Sequence, residues 1–151
     1  MTAYQLSIFA ENKPGRLAKI TQLLAKEKIN IRATTIATSG DFGVINFIVD
    51  DPKRAHKVLL KEGLTVSLKE VIAVVIDDKP GGLDKLVQVL ASENINVENA
   101  YGFVTESWKN AIFVVEVDQL EKTREILKKK GFETLDTESL SAVEPFHYLK
   151  Y

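Results

Sequence analysis

"ENKPGRLAKITQLL", residues 11–24, is spelled nearly a second time as "DDKPGGLDKLVQVL" at 77–90. Laying 12–31 over 78–97 with a shift of 66 gives 11 identities in 20 positions. They are Lys13, Pro14, Gly15, Leu17, Lys19, Gln22, Leu24, Ala25, Glu27, Ile29 and Asn30 against their later counterparts. Unrelated segments would share roughly one or two, so the chain carries an internal duplication that must be settled before the fold. Beyond this block the shift becomes 68, because "TESWKN" (105–110) lengthens a loop in the second copy.

Both copies carry the same order of elements. "YQLSIF" (4–9) alternates as a strand, and Leu17, Ile20, Leu23 and Leu24 then recur at helical spacing in a helix expected from Pro14. "INIRATTIAT" (29–38), the turn "SGD" (39–41) and "VINFIV" (44–49) predict two further strands. Asp51 and Pro52 open a second helix that Gly63 ends, and "LTVSL" (64–68) closes the unit. The second copy repeats this with "VIAVVI" (71–76), a helix from Pro80, "INVENAYGFV" (95–104), "AIFVVEV" (111–117), a helix over 119–130 and "FETL" (132–135). Asp118 and Glu121 have the spacing of a capping box. The result is β-α-β-β-α-β twice: an α+β chain of two ferredoxin-like units, each an antiparallel sheet with helices on one face. The boundaries fall at 1–69 and 70–151, and Lys69-Glu70 offers no Gly, Pro or Ser for a loose linker. Units of about 70 residues are marginal alone, so a partner surface is expected, as a homodimer or as pairing of the two units. "ESLSAV" (138–143) aligns loosely with "EVIAV" (70–74), which predicts a further strand or edge contact over 139–143.

Composition excludes several classes. The chain is 45% apolar and 27% charged with net charge −1, which fits a globular protein rather than a disordered one. The longest apolar run is too short for a bilayer, and no basic, apolar leader precedes "MTAYQLSIF", so a cytoplasmic location with no membrane contact is expected. The absence of cysteine removes disulfides, thiolate metal sites and cysteine nucleophiles. Scattered Lys and Arg give no electrostatic footprint for nucleic acid.

The chemistry points to the helix starts. Proline at the first helical position wastes no hydrogen bond, but the N–H groups of Gly15, Arg16 and Leu17 then lack intrahelical acceptors. Orphan donors and the positive end of the helix dipole favour an anion. A second reading stays open: Asn12 and Asp78 cap the helices themselves, and glycine eases packing.

The duplicated pattern, a strand followed by Asp or Asn, x, Pro-Gly, x, Leu opening a helix, then a short turn into the next strand at Asn, resembles the ACT domain. "ENKPGRL…KINI" and "DDKPGGL…NINV" both carry it. ACT domains are small-molecule-sensing modules of amino-acid metabolism, and two-unit chains of this kind are similar to stand-alone amino-acid-binding ACT proteins. The resemblance implies a non-enzymatic, regulatory sensor that binds a free amino acid at an interface between ACT units. Its site residues would be Asn12, Gly15, Arg16 and Leu17 with Asn30, and Asp78, Gly81, Gly82 and Leu83 with Asn96. No cofactor or metal is implied. An alternative is a regulatory subunit whose partner is an amino-acid biosynthetic enzyme. The copies differ where Asn12 meets Asp78 and Arg16 meets Gly82, so the two sites need not share affinity or ligand.

RNA-recognition motifs share this element order, and "IFAEN" (8–12) and "FGVINF" (42–47) are spaced like their two aromatic motifs. Val44 stands where the central aromatic belongs, and the second copy shows neither pattern; Phe42 and Phe47 are assigned to core or interface. Catalysis is not expected: His56 and His147 lack recognisable partners, and the acid pairs sit where capping explains them. Trp108 is read as a loop residue packing locally.

Overall fold

Hydrophobic alternation in the strands and 3.6-residue periodicity in the helices build the same unit twice. The computed structural model describes residues 2–142. Two compact units divide it, one of Tyr4–Glu70 and the other of Val71 onward together with the chain start.

In the first unit, β1 (Ala3–Glu11), α1 (Arg16–Lys26), β2 (Ile31–Ser39), β3 (Phe42–Val49) and α2 (Pro52–Lys61) lead into β4 (Thr65–Asp77). β3 pairs antiparallel with β1, placing Ile8 opposite Ile45, and with β2, placing Ile36 opposite Ile45. The face carrying Leu6, Ile8, Ile45, Phe47 and Val49 packs against Ile20 and Leu24 of α1 and Ala55 and Leu59 of α2. Each of the larger side chains taken from water contributes about 1.5–3 kcal/mol, which sets the helices on this face. The other sheet face carries a buried polar cluster. Ser7 Oγ donates to Asn46 Oδ1 at 2.8 Å, Gln5 Nε2 reaches the same oxygen at 3.3 Å, and Asn46 Nδ2 donates to Thr35 Oγ1 at 3.2 Å.

In the second unit, α3 (Gly82–Ser92), β5 (Val97–Glu106), β6 (Asn110–Val117), α4 (Leu120–Lys129) and β7 (Thr134–Leu135) follow β4. β6 pairs antiparallel with β4 and β5, and β7 lies on the far side of β4. Ile72, Val74, Leu86, Leu90, Val115 and Leu127 form the equivalent core.

Four details differ from the sequence expectation. "LTVSL" and "VIAVVI" are not two strands: β4 runs unbroken for 13 residues, because Lys69 and Glu70 offer nothing to break it. The first and third helices begin at Arg16 and Gly82, two residues after each proline, for a reason given below. The capping box at Asp118 does not form. The N-cap of α4 is Gln119, and the Asp118 carboxylate instead accepts the Asn96 N–H at 3.1 Å. Finally, 139–142 belong to a helix, α5 (Thr137–Ala142), rather than a strand, while Val143 lies outside the described residues. Asp136 accepts the Ser139 N–H at 2.7 Å at the start of α5, and Leu140 is fully buried. Just before the expected stretch, the Thr137 N–H donates to the Thr2 carbonyl at 3.0 Å, which is not a strand-edge contact of 139–143.

Candidate ligand-binding site

Lys13-Pro14-Gly15-Arg16 is a type II turn. The Arg16 N–H donates to the Lys13 carbonyl at 3.3 Å, and Gly15 sits at φ 88°, ψ −13°. Proline supplies the fixed φ of the second turn position and glycine the positive φ of the third. Lys79-Pro80-Gly81-Gly82 repeats it, with a 2.9 Å hydrogen bond and Gly81 at φ 87°, ψ −10°. The sequence reading placed proline inside the helix; glycine's left-handed conformation moves the helix start past it. One donor expected for a ligand, the Arg16 N–H, is therefore spent on the turn, and the Gly82 N–H likewise. The first intrahelical bonds run from Lys19 to Gly15 and from Lys85 to Gly81, each at 3.0 Å. Neither helix has a side-chain cap. The amides of Leu17 and Ala18, and of Leu83 and Asp84, thus precede the first intrahelical donors, Lys19 and Lys85, and sit at the positive dipole end.

Asn12 and Asp78 do not cap. The Asn12 N–H donates to the Asp41 carbonyl at 2.7 Å and its Nδ2 to the Gly40 carbonyl at 3.2 Å. The Asp78 N–H donates to the Lys109 carbonyl at 3.0 Å, and its Oδ2 accepts the Trp108 N–H at 2.7 Å. Both residues tie the end of one strand to the neighbouring hairpin turn. The short turn presents a carbonyl, which needs an amide donor; the longer loop presents an N–H, which needs a carboxylate acceptor. The Asn-to-Asp difference therefore follows from the loop insertion.

Around the first helix start, Glu11 Oε1 meets Arg16 Nη2 at 2.9 Å and Glu11 Oε2 meets Lys13 Nζ at 3.1 Å. Hydrogen bonds from Lys13 and then Arg16 hold the Glu11 carboxyl below its ordinary pKa. Arg16 Nε is buried and has no hydrogen-bond partner. Asn12, Lys13, Arg16 and Leu17 line a cleft of about 140 Å³ with Ile36 and Thr38 of β2. A larger cleft of about 370 Å³, which also includes Glu11 and Arg16 in its lining, takes in Phe9, Phe42 and Leu64. At the second helix start no side chain fits in the place of Arg16: a Cβ on Gly82 would lie 2.0 Å from the Asp77 carbonyl oxygen.

Asn30 and Asn96 sit elsewhere. The Asn30 N–H donates to Asp50 Oδ1 at 3.0 Å and its carbonyl accepts the Asp50 N–H at 3.1 Å; Asn96 and Asp118 repeat this at 3.1 and 3.3 Å. These brackets lie at the far end of β3 and β6, beyond the C-termini of α1 and α3. An 11-residue helix spans about 16 Å, so within one unit Asn30 is not brought to Gly15, nor Asn96 to Gly81.

The sequence reading missed the stack of Phe9 on Phe42, with ring centroids 5.4 Å apart and both rings about half exposed. The signal was present, since the two residues lie on adjacent strands with Phe9 opposite Val44 and Phe42 opposite Glu11. Phe47 is fully buried in the core. Trp108 is 79% exposed, so it does not pack locally as expected. His56 Nε2 lies 3.3 Å from the Val66 carbonyl, and His147 is outside the described residues. Among the described residues, no group of three or more His, Asp or Glu side chains has metal-site geometry, and no helix is long and apolar enough to cross a membrane.

The chain belongs to the ACT domain pair family, whose model matches residues 1–144. It is similar to protein BT0572 from Bacteroides thetaiotaomicron, at 37% identity over 94% of this chain and 97% of that one, with a TM-score of 0.88. It shares its fold with the regulatory subunit of aspartate kinase from Thermus thermophilus, solved ligand-free, at 20% identity over 85% of this chain and 92% of that one (TM-score 0.61). A structure of aspartokinase alpha and beta subunits aligns at 19% identity over 85% and 95% of the two chains, with a TM-score of 0.54. No curated protein sequence matches the chain.

Proposed function

We propose that this chain is a non-enzymatic sensor of free amino acids, binding its ligand at interfaces between ACT units and acting as a regulator. One observation carries the reading: a Pro-Gly turn, built twice, that starts a helix without a side-chain cap. The ligand's carboxylate takes the first-turn amides of α1 or α3, where backbone donors and dipole act together. Its ammonium takes carbonyl or side-chain acceptors near the start of β2 or β5, where Asn30 and Asn96 lie. Because those two groups stand at opposite ends of one unit, a complete site draws on two units, from one chain or from two copies in a homodimer.

Calorimetry and thermal-shift measurements against the common amino acids at millimolar concentration test this. A ligand at about a hundred times its Kd raises stability by roughly 2.7 kcal/mol. Absence of any shift or heat with every amino acid overturns the reading. A second reading is favoured by the structures of similar fold, one of which is a regulatory subunit of aspartate kinase: the sensor acts through a biosynthetic enzyme. Copurification of such an enzyme with the tagged chain, and a ligand-dependent change in its kinetics, distinguishes the two.

A further inference from the structure

The two helix starts have different electrostatic character. From residue 11 to 18 the chain carries two cations, Lys13 and Arg16, and one anion, Glu11. From 77 to 84 it carries one cation, Lys79, and three anions, Asp77, Asp78 and Asp84. The structure turns that count into local geometry. Lys13 and Arg16 converge on the single Glu11 carboxylate at 3.1 and 2.9 Å, leaving an excess of positive charge beside a helix whose first turn holds no acid. Arg16 also lines the cleft of about 140 Å³ that Leu17, Ile36 and Thr38 share. At the second start, Lys79 faces Asp77 at 3.7 Å, one for one, and Asp84 adds a carboxylate to the first turn of α3. A side chain at Gly82 would clash there, because its Cβ would lie 2.0 Å from the Asp77 carbonyl oxygen.

We propose that the α1 start selects an amino acid bearing a second carboxylate in its side chain, with Arg16 as the specificity-determining residue, and that the α3 start does not. This rests on the reading that the helix starts hold the ligand's α-carboxylate. A guanidinium offers a planar fork of donors that matches a carboxylate, and Arg16 Nη2 already holds one, that of Glu11, at 2.9 Å. Glu11 does not block the role. It is exposed, and exposed ion pairs are weak, so a ligand carboxylate can share or displace it. A neutral amide side chain gains no such charge-assisted bond. At the α3 start, an acidic ligand meets Asp84 and Asp78 without a compensating cation.

Calorimetry on the full chain with L-glutamate and L-aspartate against L-glutamine and L-asparagine tests this. One site per chain is expected to bind an acid at least about tenfold more tightly than its amide, a difference of roughly 1.4 kcal/mol. Arg16→Gln is expected to abolish that preference, and Arg16→Lys, which keeps the charge, to retain part of it. Equal binding of acids and amides by the wild-type chain overturns the proposal while leaving the sensor reading intact, as does an unchanged preference in Arg16→Gln. Absence of binding by any amino acid overturns both.

Discussion

The carboxylate of Asp78 holds the backbone N–H of Trp108 at 2.7 Å, and Trp108 sits at φ 65°, in the left-handed region. A branched or bulky residue there costs roughly 1–2 kcal/mol of local strain, which the surrounding bonds must offset. Asp78→Ala is expected to lower stability by about 1 kcal/mol, the size of one hydrogen bond to a charged group that is partly exposed. Trp108→Gly is expected to raise it by up to about 1 kcal/mol, since the ring is mostly exposed and glycine removes the strain. Urea denaturation of both variants checks the pair; a destabilised Trp108→Gly means that the ring packs on something the loop needs.

Glycine has different tasks at the turn and at the second helix start. At Gly15 a Cβ meets nothing within 4 Å, yet φ is 88°, so Gly15→Ala loses only the conformational term, about 1–2 kcal/mol. At Gly82 the Cβ collides with backbone, and Gly82→Ala is expected to lose about 1–3 kcal/mol or more, as overpacking does. Thermal melts should rank Gly82→Ala below Gly15→Ala. The reverse order would mean that the Asp77 carbonyl moves aside easily.

The Gln5–Ser7–Asn46 cluster is a network, and its members should not act additively. Asn46→Val leaves Ser7 without its 2.8 Å acceptor and is expected to cost about 1–3 kcal/mol. Adding Ser7→Ala removes the stranded hydroxyl, so the double variant should lose less than the sum of the singles by about 0.5 kcal/mol or more. Strict additivity in chemical denaturation counts against a shared network.

Two ionisable groups set opposite pH limits. Burial, reinforced by Glu116, raises the Tyr101 phenol above its ordinary value of 10.0. The native state therefore holds a proton that the unfolded chain releases, and this stabilisation, present below about pH 10, is lost as pH rises further. Absorbance titration should show one late tyrosine, missing in Tyr101→Phe. Glu11 works in the other direction. Lys13 and Arg16 lower its pKa from 4.5, so its contribution is present above that pH and disappears as pH falls through the folded value. Glu11→Gln should flatten the acid limb of a melting-temperature profile; an unchanged limb means the two cations contribute nothing there.

Much of this was legible in the residues. The duplication and the order β-α-β-β-α-β follow from periodicity and turn chemistry, and the core positions Leu24 and Leu90 fall where helical spacing puts them. The helix starts were misplaced by two residues because proline fits either a first helical turn or the second position of a type II turn. Only the φ of Gly15 decides between them. Asn12 and Asp78 were open to a reading as caps because a short polar residue before a helix usually is one, whereas their partners lie about 30 residues away in a hairpin loop. Helix α5 was missed although Asp136, Glu138 and Leu140 carry a capping and burial signal, because alignment with the duplicated strand was weighed above local propensity.

The closed space at Gly82 makes the two helix starts unequal in the substitutions they accept. An arginine at the α1 start can be trimmed to glycine by substitution without any backbone obstacle. The opposite change at the α3 start must displace the Asp77 carbonyl at the end of β4, so it costs stability at the first added atom. The two copies are thus unequal targets for substitution, and a stably folded variant with a side chain at position 82 is expected only together with a change in the segment around Asp77.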